Sequence, residues 1–491
     1  MADSSASLAS LAKIADLDLG LRIGGKAVPA RAGGTFDVID PATRESIATI
    51  ADGQEADATA AVDAAAAAFR DWAETSPRDR AEVLRKAWEL MVADTDRFAA
   101  IMCLENGKAR ADGKAEVAYA AEFFRWFSEE AVRSEGDYTI APATGARTLV
   151  THQPVGVAAL LTPWNFPAAM ATRKIAPALA AGCTIVLKPA SETPLTALLV
   201  ADVLRDAGVP DGVVNVVPTT DSAALGTTWL EDARVRMVSF TGSTPVGRLL
   251  LKQAADRVVN SGMELGGNAP FVVTADADLD AAVSGAMIAK FRNAGQACTA
   301  ANRFYVHADV ADDFVARFGK AVEALKVGPA DDPETDIGPL INEKAAVGVR
   351  EKLEAAVAAG ARVAHQASAP EDGWYVAPTI LADVAPDAEI LTDEVFGPVA
   401  PIVTWTDEGE MLRLANDTEY GLASYVYAGR LQDALRIAER IEAGMVGVNR
   451  GLVSDPSAPF GGVKQSGIGR EGAREGIREF QETRYFAVDG I

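Results

Sequence analysis

Between residues 155 and 255 short apolar runs alternate with longer stretches whose apolar positions recur at helical spacing. Val157–Leu161 precedes a helical 167–181, 184–187 precedes 195–207, 213–217 precedes 221–231, and 236–240 precedes 245–255. Such alternation predicts a parallel, doubly wound sheet covered by helices on both faces, with ligands bound at the carboxyl ends of its strands. Upstream, β-branched and aromatic residues between Gly24-Gly25, Gly33-Gly34 and Pro41 predict short strands over 20–50. Alanine-rich, charge-laced segments predict helices over 55–74, 79–106 and 111–131, with breaks at Ser76-Pro77 and Asn106-Gly107. After Glu264 a second alternating series begins, with strands at 271–273 and 304–306 and helices near 278–293 and 311–325, as a second α/β domain requires. The closing 484–488 is strand-like and short, and is expected to pair outside its own domain.

At 491 residues the chain suits two or three domains, each with its own core. A net charge of −23, with no basic tract, argues against nucleic acid and anionic lipid as partners. The first residues lack the positive start and apolar stretch of a signal peptide, and Asp16 and Asp18 are foreign to a transit peptide. The most apolar region, 155–187, is broken by Pro163, Pro167, Arg173, Lys174 and Pro177, so no membrane span is expected. Cys103, Cys183 and Cys298 cannot all pair, and none has metal-ligand spacing with a histidine. A reduced, cytoplasmic protein without disulfides or a metal site is the expectation.

A lone cysteine is more often a small buried hydrophobe than a nucleophile, and Cys103 and Cys183 keep that reading. Cys298 differs by its setting, Phe291-Arg292-Asn293-Ala294-Gly295-Gln296-Ala297-Cys298, downstream of Met263-Glu264-Leu265-Gly266-Gly267-Asn268. Its three histidines, His152, His307 and His365, lie in no comparable glycine-rich setting, so a glutamate must serve as base to a thiol nucleophile. The helix end before Cys298 leaves a lowered thiol pKa open. Strand ends in the first sheet deliver Thr162-Pro163-Trp164-Asn165, Lys188-Pro189-Ala190-Ser191 and Phe240-Thr241-Gly242-Ser243. A Gly-Ser turn before a helix is ordinarily an N-cap, and a lone lysine a solvated charge.

Together and in order, these pieces resemble the aldehyde dehydrogenase superfamily over nearly the whole chain. The matching pieces are Pro163-Trp164-Asn165-Phe166-Pro167, Lys188-Pro189-Ala190, Phe240-Thr241-Gly242-Ser243, Glu264-Leu265-Gly266-Gly267, Gly295-Gln296-x-Cys298, Glu394-x-Phe396-Gly397-Pro398 and Pro459-Phe460-Gly461-Gly462-x-Lys464. The resemblance implies a Rossmann-type cofactor-binding domain (1–131 and 152–264), a second α/β catalytic domain (265–469) and a small β oligomerisation element (132–151 and 470–491) that joins a homodimer or homotetramer. It implies that the Cys298 thiolate attacks an aldehyde and that the Asn165 amide and Cys298 N–H hold the oxyanion. Glu264 would deprotonate the water that hydrolyses the thioester, with Lys174 and Glu471 as a proton relay. Thr162, Pro163, Trp164, Lys188, Ser191, Gly242, Ser243, Leu265, Glu394 and Phe396 would surround the nucleotide.

Many members that prefer NAD carry a glutamate where this chain has Ser191. A carboxylate repels a 2′-phosphate whereas a hydroxyl can donate to it, so NADP is the expected cofactor, with NAD as the alternative. Arg173, Arg292 and Ser454 resemble the carboxylate-binding set of succinate-semialdehyde dehydrogenases, and arginine's planar fork suits a carboxylated aldehyde. Glutarate semialdehyde, one methylene longer, is the rival substrate. Glu264 argues against a CoA-acylating member, and Cys298, Asn165 and Glu264 together argue against a noncatalytic nucleotide-binding scaffold.

Overall fold

The computed structural model describes residues 7–133 and 135–488. Residues 1–6, which include the start of the chain read above for a targeting signal, and 489–491, the end of the expected oligomerisation element, lie outside the described residues.

Two α/β layers carry the chain. The first sheet has eight strands, and five of them run parallel in the order Asn260–Glu264, Val235–Thr241, Val157–Leu161, Thr184–Lys188, Val214–Val216. Leu21–Ile23 and Lys26–Val28 extend one edge antiparallel. At the other edge Gly467–Ile468, far along the sequence, pairs antiparallel with Asn260–Glu264. The alternating runs become the expected helices, Pro167–Ala181, Pro194–Asp206, Ser222–Glu231 and Thr244–Ala255. Val157–Leu161 and Thr184–Lys188 are buried at every position, which is why they read as continuous apolar runs.

The second sheet has seven strands, with Ala269–Val273 and Ala301–His307 parallel at its centre. Ala423–Tyr427 and Met445–Val448 continue it on one side, and Val399–Trp405, Thr379–Ala382 and Arg362–Gln366 on the other. A third sheet stands apart. In it Arg147–Pro154 lies between Asp137–Ile140 and the terminal Gln481–Val488. No helix among the described residues is long and apolar enough to cross a membrane.

Three details depart from the pattern. The stretch 79–106 is two helices, Pro77–Ala93 and Thr95–Asn106, because Asp94 leaves helical geometry at φ −105° and ψ 25° and closes the first with its own N–H. Asn260–Glu264 is a strand despite its Asn-Ser-Gly start, which has little intrinsic β preference. Parallel pairing with Val235–Thr241 imposes it. The terminal strand is eight residues long, since its partner Arg147–Pro154 matches it residue for residue.

Candidate active site

Register brings the predicted residues to one edge. Leu161 stands beside Lys188 on one side and Phe240 on the other, and Thr241 stands beside Glu264. The residues that follow these strand ends therefore crowd one crevice. Thr162 N–H donates to the Lys188 carbonyl at 3.1 Å, Gly242 N–H to the Glu264 carbonyl at 3.0 Å, and Leu265 N–H to the Ser466 carbonyl at 2.8 Å.

Cys298 arrives from the second layer. Helix Leu279–Phe291 ends in a tight turn whose Asn293, Ala294 and Gly295 all lie in the left-handed region, at φ 52°, 55° and 74°. A side chain at Gly295 would stand 2.4 Å from the Gly397 carbonyl oxygen, so the turn is pressed against the segment bearing Glu394 and Phe396. The Asn165 side-chain amide donates to the Gln296 carbonyl at 3.1 Å, two residues before the cysteine. Cys298 is half-buried. Burial pushes its thiol up to about 12, Glu394 and Glu264 push the same way, and Arg173 and Arg292 oppose them. A lowered thiol pKa, left open by the sequence, is not what the fold favours, because burial of the sulfur outweighs the charges of Arg173 and Arg292.

Helix Pro167–Ala181 is internal along its whole length, so Arg173 and Lys174 are buried rather than solvated charges. Lys174 Nζ donates to Glu471 Oε1 at 2.6 Å and to Ser239 Oγ at 2.8 Å. Glu264 is 3% exposed, and its Oε2 has no hydrogen-bond partner. Burial first, then the charge of Glu471, raise its pKa well above the usual carboxylate range. Burial presses on Glu471 too, but Lys174 and Arg173 outweigh it and keep that group ionised. A small cavity lined by Ser239, Glu264, Arg470, Glu471 and Glu479 adjoins the pair. A buried carboxyl that holds its proton more tightly than usual thus stands beside one that Lys174 and Arg173 keep ionised.

The three substrate candidates are not equivalent. Arg173 is 2% exposed, its guanidinium stacks over Phe460 at 4.0 Å, and it contacts Glu471 at 3.4 Å and the Tyr119 hydroxyl. It is thus a caged, already compensated cation. Arg292 has no ion-pair partner among the described residues and lies over Phe166 at 5.1 Å. Ser454 is half-buried with no hydrogen bond among the described residues, in the loop that ends in Phe460. The charges of both arginines reach Cys298.

On the crevice side, Trp164 and Phe396 meet edge to face with centroids 5.5 Å apart. Lys188 Nζ donates to Ser222 Oγ at 2.8 Å, and burial lowers its pKa to about 8 against the charge of Glu192. Glu394 accepts from Gly267 N–H at 3.1 Å, and burial raises it to about 7. Ser243 occupies the N-cap position of helix Thr244–Ala255 but makes no capping bond, and the buried Thr241 hydroxyl has no partner. The ordinary N-cap reading of that serine therefore fails. Spare hydroxyls, a buried lysine and a carboxylate at the carboxyl edge of a doubly wound sheet fit a nicotinamide dinucleotide. Ser191 Oγ, expected to face a 2′-phosphate, donates instead to Glu192 Oε2 at 3.2 Å.

Sequence reasoning missed the layer behind these groups. Lys108, Asp112, Glu116 and Asn293 hold the backbone under Asn165 and Cys298. In the sequence Asn106-Gly107 reads only as a helix break, and Lys108 next to it carries no signal of its own. The available signal was a lysine and a glutamate eight positions apart around a helix start otherwise rich in alanine.

The profile of the Aldehyde dehydrogenase family matches residues 28–486. The chain is 54% identical to a succinate-semialdehyde dehydrogenase of Paenarthrobacter nicotinovorans over 90% of this chain and 98% of that protein. It is 46% identical to the NADP(+) succinate-semialdehyde dehydrogenase GabD of Escherichia coli strain K12, over 95% of this chain and 97% of that one. The crystal structure of succinate-semialdehyde dehydrogenase from Burkholderia pseudomallei superposes with a TM-score of 0.94 at 46% identity, covering 96% and 98% of the two chains.

Proposed function

The chain belongs to the aldehyde dehydrogenase family, and from that premise we propose that it oxidises succinate semialdehyde to succinate with NADP in preference to NAD. The single observation that carries the reaction is the convergence of Cys298, Asn165 and Glu264 from two separate sheets. The substrate reading rests on Arg292, a cation with no ion pair among the described residues whose charge reaches Cys298, and on the names of the relatives.

In this reading the Cys298 thiol gives its proton to the ionised form of Glu264 as the substrate docks, and the sulfur attacks the aldehyde carbon. The Asn165 amide leaves the Gln296 carbonyl to hold the developing oxyanion together with the Cys298 N–H. Lys188, Ser191, Ser243, Glu394 and Phe396 would hold the dinucleotide, which when bound would supply the hydride acceptor for oxidising the thiohemiacetal to the thioester. Glu264, protonated at rest and again by the thiol, is ionised each time by passing its proton to the Glu471 carboxylate, which Lys174 positions and which releases it to solvent, and then draws a proton from the hydrolytic water. Arg292 binds the substrate carboxylate, Arg173 supplies positive potential from its cage, and Ser454 completes the pocket wall. A cytoplasmic homo-oligomer completes the reading, joined through the three-stranded sheet whose Tyr138, Ile140, Tyr485 and Phe486 are exposed.

The test is the initial rate of reduced-nicotinamide formation with succinate semialdehyde, glutarate semialdehyde and an uncharged aldehyde of similar length, each with NADP and with NAD. A much higher kcat/KM for succinate semialdehyde with NADP is expected. Equal rates on the uncharged aldehyde discard the substrate assignment, and a clear preference for glutarate semialdehyde replaces it with the longer homologue.

A further inference from the structure

Beneath Asn165 lies an ion pair that the chemistry above does not use. The side chains of Lys108 and Glu116 are both fully buried and in direct contact. Lys108 Nζ donates to the Asn165 backbone carbonyl at 3.0 Å and sits 4.6 Å from the centre of the Phe166 ring. Glu116 uses its other oxygen to accept the N–H groups of Ala168 and Ala169, at 2.9 and 3.2 Å, at the start of the helix that carries Arg173 and Lys174. A second donor reaches the same Asn165 carbonyl, the Asn293 side-chain amide at 2.8 Å, while Asn293 N–H donates to Asp112 at 2.9 Å. One peptide plane is thus gripped from the helix side and from the nucleophile turn at once.

A buried ion pair is a poor source of stability, because desolvating two charges consumes most of what their attraction returns, and well-packed apolar residues would serve as well. What such a pair does well is fix position, since each charged group accepts or donates several directional bonds. We propose that Lys108 and Glu116 are positioning residues for the oxyanion site: they hold the Asn165 peptide so that its side-chain amide faces the carbonyl oxygen of the substrate bound to Cys298. The proposal rests on the reading of Asn165 as the oxyanion donor.

A double-mutant cycle tests it. Lys108→Met with Glu116→Gln removes the charges and the donation to Asn165 while leaving an acceptor for Ala168 and Ala169. Its effect on kcat is measured in the native background and again with Asn165→Ala, alongside KM for succinate semialdehyde and the NADP dissociation constant by fluorescence titration. Asn165→Ala alone is expected to lower kcat about 100-fold or more, and the pair variant about tenfold, with KM and NADP affinity little changed. In the Asn165→Ala background the pair variant should cost nothing further, because a positioning residue has no effect once the group it positions is gone. Losses that multiply in the combined variant overturn the proposal and leave the oxyanion role intact. An Asn165→Ala enzyme of native kcat overturns both. The milder Glu116→Gln, which keeps the Lys108 donation, runs through the same cycle: a smaller, equally non-multiplying loss is expected, and a loss as large as that of Asn165→Ala contradicts the proposal.

Discussion

At Arg292 the guanidinium lies over Phe166 without an ion-pair partner among the described residues, the Asp112 carboxylate feeling its charge from beyond ion-pair distance, although the chain as a whole is strongly acidic. Replacing it with alanine should raise KM for succinate semialdehyde about 10- to 100-fold, the worth of a charge-assisted hydrogen bond. An uncharged aldehyde should be little affected, and steady-state kinetics on both that move together would refute the assignment. Arg173 should behave differently, since its charge is held by Glu471 and by the Phe460 ring. The three-residue set was legible as a motif, but the division of labour was not, because a sequence does not say which arginine already has a partner. The cofactor face gives a second example. Ser191 reads as the residue that admits a 2′-phosphate, yet Glu192 takes its hydroxyl and its charge bears on Lys188. Glu192→Gln should therefore tighten NADP more than NAD in a fluorescence titration, and Ser191→Glu should shift preference toward NAD; equal changes for the two cofactors in both variants would remove this loop from cofactor choice. The thiol adds a pH dependence. With Cys298 raised to about 12 by burial, thiolate is scarce at neutral pH and grows about tenfold per pH unit below the pKa. Alkylation at Cys298, followed by peptide mapping, should accelerate in that way as pH rises, and a rate independent of pH near neutrality would show the group already ionised.

Among elements, the turn between helix Leu279–Phe291 and Cys298 is the most constrained. Three successive left-handed residues aim the nucleophile, and Gly295 leaves no room for a Cβ against the Gly397 carbonyl. Gly295→Ala should displace the Cys298 turn, at a cost on the order of 1–3 kcal/mol in local strain, and lower kcat far more than it alters NADP binding. Native kcat in that variant would show that the turn tolerates the change. The alternation of strand and helix from 155 to 255 was readable because fully buried parallel strands are continuously apolar. Strand Asn260–Glu264 was not, because its pairing with Val235–Thr241, rather than its composition, creates it. The same holds for Gly467–Ile468, which joins the first sheet from the end of the chain. Lys108 and Glu116 escaped notice for the same reason: their partners are backbone atoms of residues far along the sequence.

For the whole molecule, two α/β layers bring Glu264 from one sheet within charge range of Cys298 from the other, and Gly467–Ile468 ties the return of the chain to the strand bearing Glu264. The third sheet leaves Tyr138, Ile140 and Tyr485 at 58%, 53% and 59% exposure, an apolar face of the kind that monomers seldom keep. Ile140→Asp with Tyr485→Asp should turn the proposed oligomer into monomers by light scattering, and an unchanged mass would overturn the assignment of this sheet as the contact. The central claim is that Cys298 is acylated and that Glu264 releases the acyl group. It is tested most directly by mixing Glu264→Gln with succinate semialdehyde and NADP and recording both NADPH and the intact mass. A burst of NADPH stoichiometric with enzyme, slow turnover afterwards, and a succinyl group retained on the peptide containing Cys298 are expected. Steady turnover at the native rate with no adduct, or an adduct on another residue, would contradict it.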